Sequence, residues 1–126
     1  MSPKLLCQRI ADALTPDLLS PMWRAKVRTG EPATAGHCYI AAELAYHLLG
    51  GKAAGYLPYV LNHACWPEGL DPGETHWFIR HRDGTVVDPT SSQFSTPIAY
   101  DRGRACGFLT LALSKRGRTL RSRIGA

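Results

Sequence analysis

At 126 residues, 44% of them hydrophobic and 9% aromatic, the chain is sized for one folded core and is too apolar for a disordered segment. No apolar run approaches the roughly 18 residues that span a bilayer, and Gln8, Arg9 and Asp12 break the N-terminal apolar stretch, which argues against a signal peptide and predicts a cytoplasmic protein. The net charge of +5 is uneven: residues 101–126 hold seven Lys/Arg against Asp101 alone, a balance of +6, whereas residues 1–100 sum to −1.

Leu5, Leu6, Ile10, Ala13 and Leu14 recur at near-helical spacing and predict an amphipathic helix over residues 4–14. Thr15-Pro16 and Ser20-Pro21 interrupt it, because proline lacks a donor and pushes the preceding residue out of the helical region. Residues 28–36, RTGEPATAG, read as a loop. From Cys38 the pattern is again helical: Ala41, Leu44, Ala45 and Leu48 share a stripe that Gly50-Gly51 ends. A strand is expected within 56–65, and two more over 75–81 and 85–88 flank the hairpin signal Asp83-Gly84. DPTSSQFSTP is irregular. CGFLTLAL predicts a last strand, and Ser114 is placed to cap a short basic helix. Helices that precede an antiparallel sheet define an α+β fold. One domain is expected over residues 1–126, with a basic C-terminal tail at about 114–126.

The four cysteines at 7, 38, 65 and 106 form no C-x-x-C pair, so neither a zinc ribbon nor a thioredoxin motif is indicated, and in a reducing compartment four free thiols are expected. One of them is placed for chemistry. Thiol catalysis at a carbonyl needs a thiolate, a proton shuttle and a group that orients the shuttle. Cys38 follows Ala35-Gly36-His37 and opens a helix, where unpaired N–H groups and the dipole favour negative charge. Gly36 leaves room for a substrate to approach the backbone. His76 lies in the strand THWFI, and Asp88 ends the next strand before Pro89.

Whether His76 and Asp88 share a face depends on the hairpin. A two-residue turn at Asp83-Gly84 pairs Ile79 with Asp88 and points the carboxylate away from His76. A three-residue loop, Arg82-Asp83-Gly84, pairs Phe78 with Asp88 and brings both side chains to one face. The second geometry demands a positive φ at Gly84 and a bulge.

The segments GHCYIAAEL…HLLGG, HWFI and VVDPT, in that order over residues 36–90, resemble the core of the transglutaminase-like group of the papain-like cysteine protease superfamily. The GHCY, HWF and QF elements are also similar to those of short bacteriophage-encoded proteins. The resemblance implies a papain-like core with N-terminal helices on a small antiparallel sheet, and it implies Cys38 as nucleophile, His76 as base and acid, and Asp88 as its orienting group. It further implies a cysteine hydrolase (protease, isopeptidase or deamidase) or, with an amine as acceptor, a transglutaminase-type transferase. The substrate would be a protein, peptide or small amide, and no cofactor is implied. One departure concerns the oxyanion: residues 24–36 contain no glutamine, so the donors are the Cys38 backbone N–H and a side chain such as Gln93 or Trp23. His37 and Trp77, each beside a triad residue, are the remaining candidates for contact with substrate.

Two other readings use the same residues. His63, Cys65, His37, Cys38 and His76 are zinc-type ligands, but they lack the short knuckles that structural sites use, so no metal is assigned. The basic C-terminus suits a nucleic-acid or acidic protein partner in a non-catalytic binding module. No aromatic follows Phe108 to stack on bases.

Overall fold

The computed structural model describes residues 2–18, 37–108 and 111–126. The expected loop at 28–36 and the Ser20-Pro21 break, together with Trp23 and Gly36, lie outside the described residues.

Helix α1 spans Pro3–Ala13. The Ser2 hydroxyl accepts the Leu5 N–H at 3.2 Å, and Pro3 occupies a first-turn position, where a missing N–H loses no helical bond. Leu6 and Ile10 form its buried stripe. Leu5, expected in that stripe, is exposed, since a residue beside Leu6 lies about 100° around the helix from it. The helix stops before Thr15-Pro16, as the proline dictates, and Pro16–Leu18 makes one 3₁₀ turn.

Helix α2 spans Cys38–Leu48 and is buried over more than the predicted stripe: Ile40, Ala42 and Glu43 are covered together with Ala41, Leu44 and Ala45. Small alanines let neighbours approach from several sides. Gly50, at φ +99°, turns the chain out of the helix.

Strand β1, Tyr56–Asn62, pairs along its whole length with β2, Thr75–His81. Strand β3, Val86–Val87, and strand β4, Arg104–Ala105, close the two edges of an antiparallel sheet of order β3-β2-β1-β4. Of the strand expected in CGFLTLAL, residues 106–108 and 111–113 carry none, and residues 109–110 lie outside the described residues. Pairing with β1 ends when the Cys106 N–H donates to the Pro58 carbonyl at 3.0 Å, and Leu111 is fully exposed. Phe108 leaves the edge because its ring packs against Tyr39, Tyr46 and Trp77. Helix α3 spans Lys115–Arg123, and Ser114 caps it as expected, accepting the Gly117 N–H at 3.1 Å.

The sheet separates two apolar clusters, as its alternation requires. Ile79 and Val87 face Leu6, Ile10, Leu44, Leu120 and Ile124 of the three helices. Phe78 and Leu61 face the other way, onto Trp66 and Leu70 of the β1–β2 connection. Three α-helices and an antiparallel sheet among the described residues make an α+β fold. Among those residues no helix is long and apolar enough to cross a membrane.

Candidate active site

The hairpin geometry decides the site. The His81 N–H donates to the Thr85 carbonyl at 2.8 Å and the Gly84 N–H to the His81 carbonyl at 2.9 Å, so Gly84 and Thr85 both lie opposite His81. Gly84 has φ +96°, the left-handed conformation that a bulge of this type requires. The loop is therefore Arg82-Asp83-Gly84, and Asp83 braces it by accepting the Thr85 N–H at 2.8 Å. Ile79 pairs with Val87, which sets Asp88 opposite Phe78 and on the face of His76.

There the His76 Nε2 and the Asp88 Oδ2 are 2.7 Å apart, and both side chains are essentially inaccessible. The other partners of Asp88 come from its own segment and from farther on. Oδ1 accepts the Thr90 N–H at 3.2 Å, an Asx turn around Pro89, and the Thr90 hydroxyl lies 3.4 Å away. The Tyr100 hydroxyl donates to Oδ2 at 2.8 Å. Burial, and then the charge of Asp88, push the Tyr100 phenol far up, so it stays protonated and acts as a donor.

Cys38 reaches the same place from helix α2, whose first turn meets the start of β2. Its Sγ lies 3.6 Å from the carbonyl of Thr75, the residue before His76. With Nε2 committed to Asp88, Nδ1 is the ring nitrogen left to exchange a proton. Burial alone would lower the His76 pKa, but the hydrogen bond and charge of Asp88, with the nearby Cys38 sulfur, raise it from 6.5 to about 9. The ring is thus held protonated at neutral pH beside a sulfur at a helix N-terminus.

The remaining candidates divide. The Gln93 Nε2 lies 3.4 Å from the His76 Nδ1, placed there by the 3₁₀ turn Ser91–Gln93. His37 is completely buried, with Nε2 2.9 Å from the Thr15 carbonyl, so its ring ties the start of α2 to the chain beyond α1. Trp77 lies on the opposite face of β2 from His76, stacked on Phe108 and edge-on to Tyr39. His63 faces the Leu70 carbonyl at 2.6 Å, Cys65 belongs to a tight turn with Asn62, and no three His, Cys, Asp or Glu side chains gather as a ligand set among the described residues.

Sequence reasoning missed Phe94, Tyr100 and Thr90. The Phe94 ring stands edge-on to His76 with centroids 4.7 Å apart and is itself backed by Trp66, which helps to keep water from the imidazole. Thr90 was discoverable, since Asp-Pro-Thr is an Asx-turn sequence. Tyr100 carries no local signal. A cleft of about 520 Å³ lies beside Asp88, lined by Pro3, Cys7, Val87, Ser91 and Tyr100, but neither Cys38 nor His76 opens into it. All four cysteines are free thiols. Burial, and then the Asp88 charge, push Cys7 up to about 11, and burial also raises Cys106.

No protein family, curated protein or solved structure matches the chain.

Proposed function

We propose that the protein is a cysteine hydrolase with a papain-like, transglutaminase-like core that acts on an amide or related carbonyl through a thioester on Cys38. The single observation that carries the reading is the approach of Cys38, His76 and Asp88 from three different elements: the buried His76 ring lies 2.7 Å from Asp88, and the Cys38 Sγ lies 3.6 Å from the carbonyl of Thr75, the residue before His76. Structural residues have no need of a thiol, a ring raised to about 9 and a carboxylate in that order.

In this reading the Cys38 thiolate attacks the carbonyl carbon, and the oxyanion forms beside the N–H groups at the start of α2. As the tetrahedral adduct collapses, the C–N bond breaks, and His76 gives its Nδ1 proton to the leaving amine. The product is a thioester and a neutral imidazole. Water then attacks the thioester and passes one proton to His76, the C–S bond breaks, and the thiolate–imidazolium pair returns with a carboxylic acid that releases its remaining proton to solvent. An amine in place of water gives the transferase reaction. Asp88 holds the ring through Nε2 and stabilises its charge throughout.

The test is the relative reactivity of the thiols. A chloroacetamide probe at neutral pH should label Cys38 at least about tenfold faster than Cys7, Cys65 or Cys106, and His76→Ala should remove that advantage. Equal labelling of all four thiols in the native protein would defeat the reading. Mass spectrometry of the chain after exposure to peptide amides then identifies the acyl group retained on Cys38.

A further inference from the structure

Gln93 and Asp88 approach opposite nitrogens of one ring, and both come from one short segment. Asp88 takes Nε2 at 2.7 Å, and the amide nitrogen of Gln93 stands 3.4 Å from Nδ1. The backbone between them is tightly wound: the Asp88 carbonyl accepts the Ser91 N–H at 3.4 Å and the Thr90 carbonyl accepts the Gln93 N–H at 3.2 Å. Carboxylate and carboxamide are therefore delivered as one unit. The Gln93 Oε1 is buried and finds no hydrogen-bond partner among the described residues.

A carboxamide has nearly the same shape in its two orientations, but a half-turn exchanges a donor for an acceptor. With nitrogen toward Nδ1, Gln93 donates to a lone pair, which only a neutral ring offers, and its oxygen stays unsatisfied. With oxygen toward Nδ1, it accepts from the N–H of a charged ring, and the buried oxygen gains its missing partner. We propose that Gln93 is a positioning residue whose carboxamide follows the proton on His76, presenting N–H to the neutral ring and oxygen to the imidazolium.

The inference rests on the catalytic reading only for its consequence. His76 carries its proton at rest, since its pKa is raised to about 9, and loses it when the amine departs. The amide would thus turn once at acylation and turn back at deacylation, supporting the imidazolium before attack and holding the neutral ring in place until water arrives.

The experiment is a titration by NMR of the full chain labelled with ¹⁵N, from pH 5 to pH 10. In the wild-type protein the side-chain NH₂ resonances of Gln93 are expected to shift with the same midpoint as the His76 ring nitrogens. Gln93→Glu, an isosteric change that supplies an opposite charge, should raise the His76 midpoint by about one pH unit or more. Gln93→Met, which removes the acceptor, should lower it. A merely structural role would not move the midpoint in opposite directions. Gln93 resonances that ignore the His76 titration in the wild type overturn the proposal, and that result needs no variant to fold. Shifts of the same sign in both variants overturn it as well. Failure of the catalytic reading is distinct, because an unreactive Cys38 leaves the coupled titration intact.

Discussion

Asp88 concentrates more of the site's energetics than any other described side chain, because it receives His76, Tyr100 and the Thr90 N–H at once. Replacing it with asparagine keeps the size but removes the charge that holds the imidazolium. Asp88→Asn is accordingly expected to return the His76 titration toward 6.5 and, under the proposed hydrolase reading, to reduce turnover by about 10⁴-fold, as loss of a triad carboxylate does. Asp88→Ala should also destabilise the fold by about 3–5 kcal/mol, since it strands a buried partner; urea denaturation measures that difference. The pH dependence follows from the same ring. The folded value of about 9 lies above the ordinary 6.5, so the stabilisation from His76 is complete below pH 6.5 and is lost as pH rises through 9. Each unit of that displacement is worth about 1.4 kcal/mol. Stability should therefore fall across this window in the wild type and fall less in His76→Gln, which denaturation midpoints at stepped pH will show.

At the scale of elements, the C-terminal helix is held by a carboxylate from α2. Glu43 is fully buried, and its Oε1 accepts the Ser114 hydroxyl at 2.6 Å and the Ser114 N–H at 3.2 Å. A negative group at the start of α3 is where the helix dipole favours it. This contact reverses an ordinary helix rule. Gly117→Ala improves helix propensity by about 1 kcal/mol in the abstract, yet a Cβ there would stand 2.6 Å from the Glu43 Oε1. The substitution is expected to lower the unfolding free energy and to speed hydrogen exchange in residues 115–126. Ser114→Ala should do the same by removing the cap and the shorter of the two hydrogen bonds to the Glu43 Oε1, at about 1–3 kcal/mol.

For the whole molecule, the basic tail is part of the core. Leu120 and Ile124 join the cluster of Ile10, Leu44 and Ile79, the Arg9 guanidinium bonds to the Ile124 carbonyl, and Arg123 pairs with Asp17. The guanidinium of Arg123 holds the Asp17 carboxyl well below the usual range. Deleting residues 115–126 would expose that cluster, so its expected result is loss of cooperative unfolding. Binding to an acidic partner is better tested by exchanging the exposed Lys115, Arg116 and Arg118 for glutamine. If nucleic acid binds through this face, its affinity should fall steeply with salt in the wild type and less steeply in the triple variant. An unchanged thermal midpoint in that variant confirms that only the surface was altered.

Local chemistry alone told the ends of α1, the cap of α3, the turn at Gly84 and the place of Cys38 at a helix start, because each depends on residues within a few positions of one another. The choice between a two-residue and a three-residue hairpin was narrowed by sequence to a single φ and decided by the folded β2–β3 pair. Tyr100 on Asp88, Phe94 against His76, and Glu43 beneath Ser114 were beyond reach, and Gln93, named from the sequence as an oxyanion candidate, was not foreseen on the His76 ring. Each joins groups from separate elements, and such contacts carry no periodicity in the chain. The described part of CGFLTLAL carries no strand for the same reason: it has the composition of one, but the aromatic cluster around Phe108 competes for that ring. Short-range sterics and hydrogen bonding write the elements into the sequence, whereas the neighbours that raise one imidazole to about 9 against the effect of its burial, Asp88 above all, meet it only once distant segments come together.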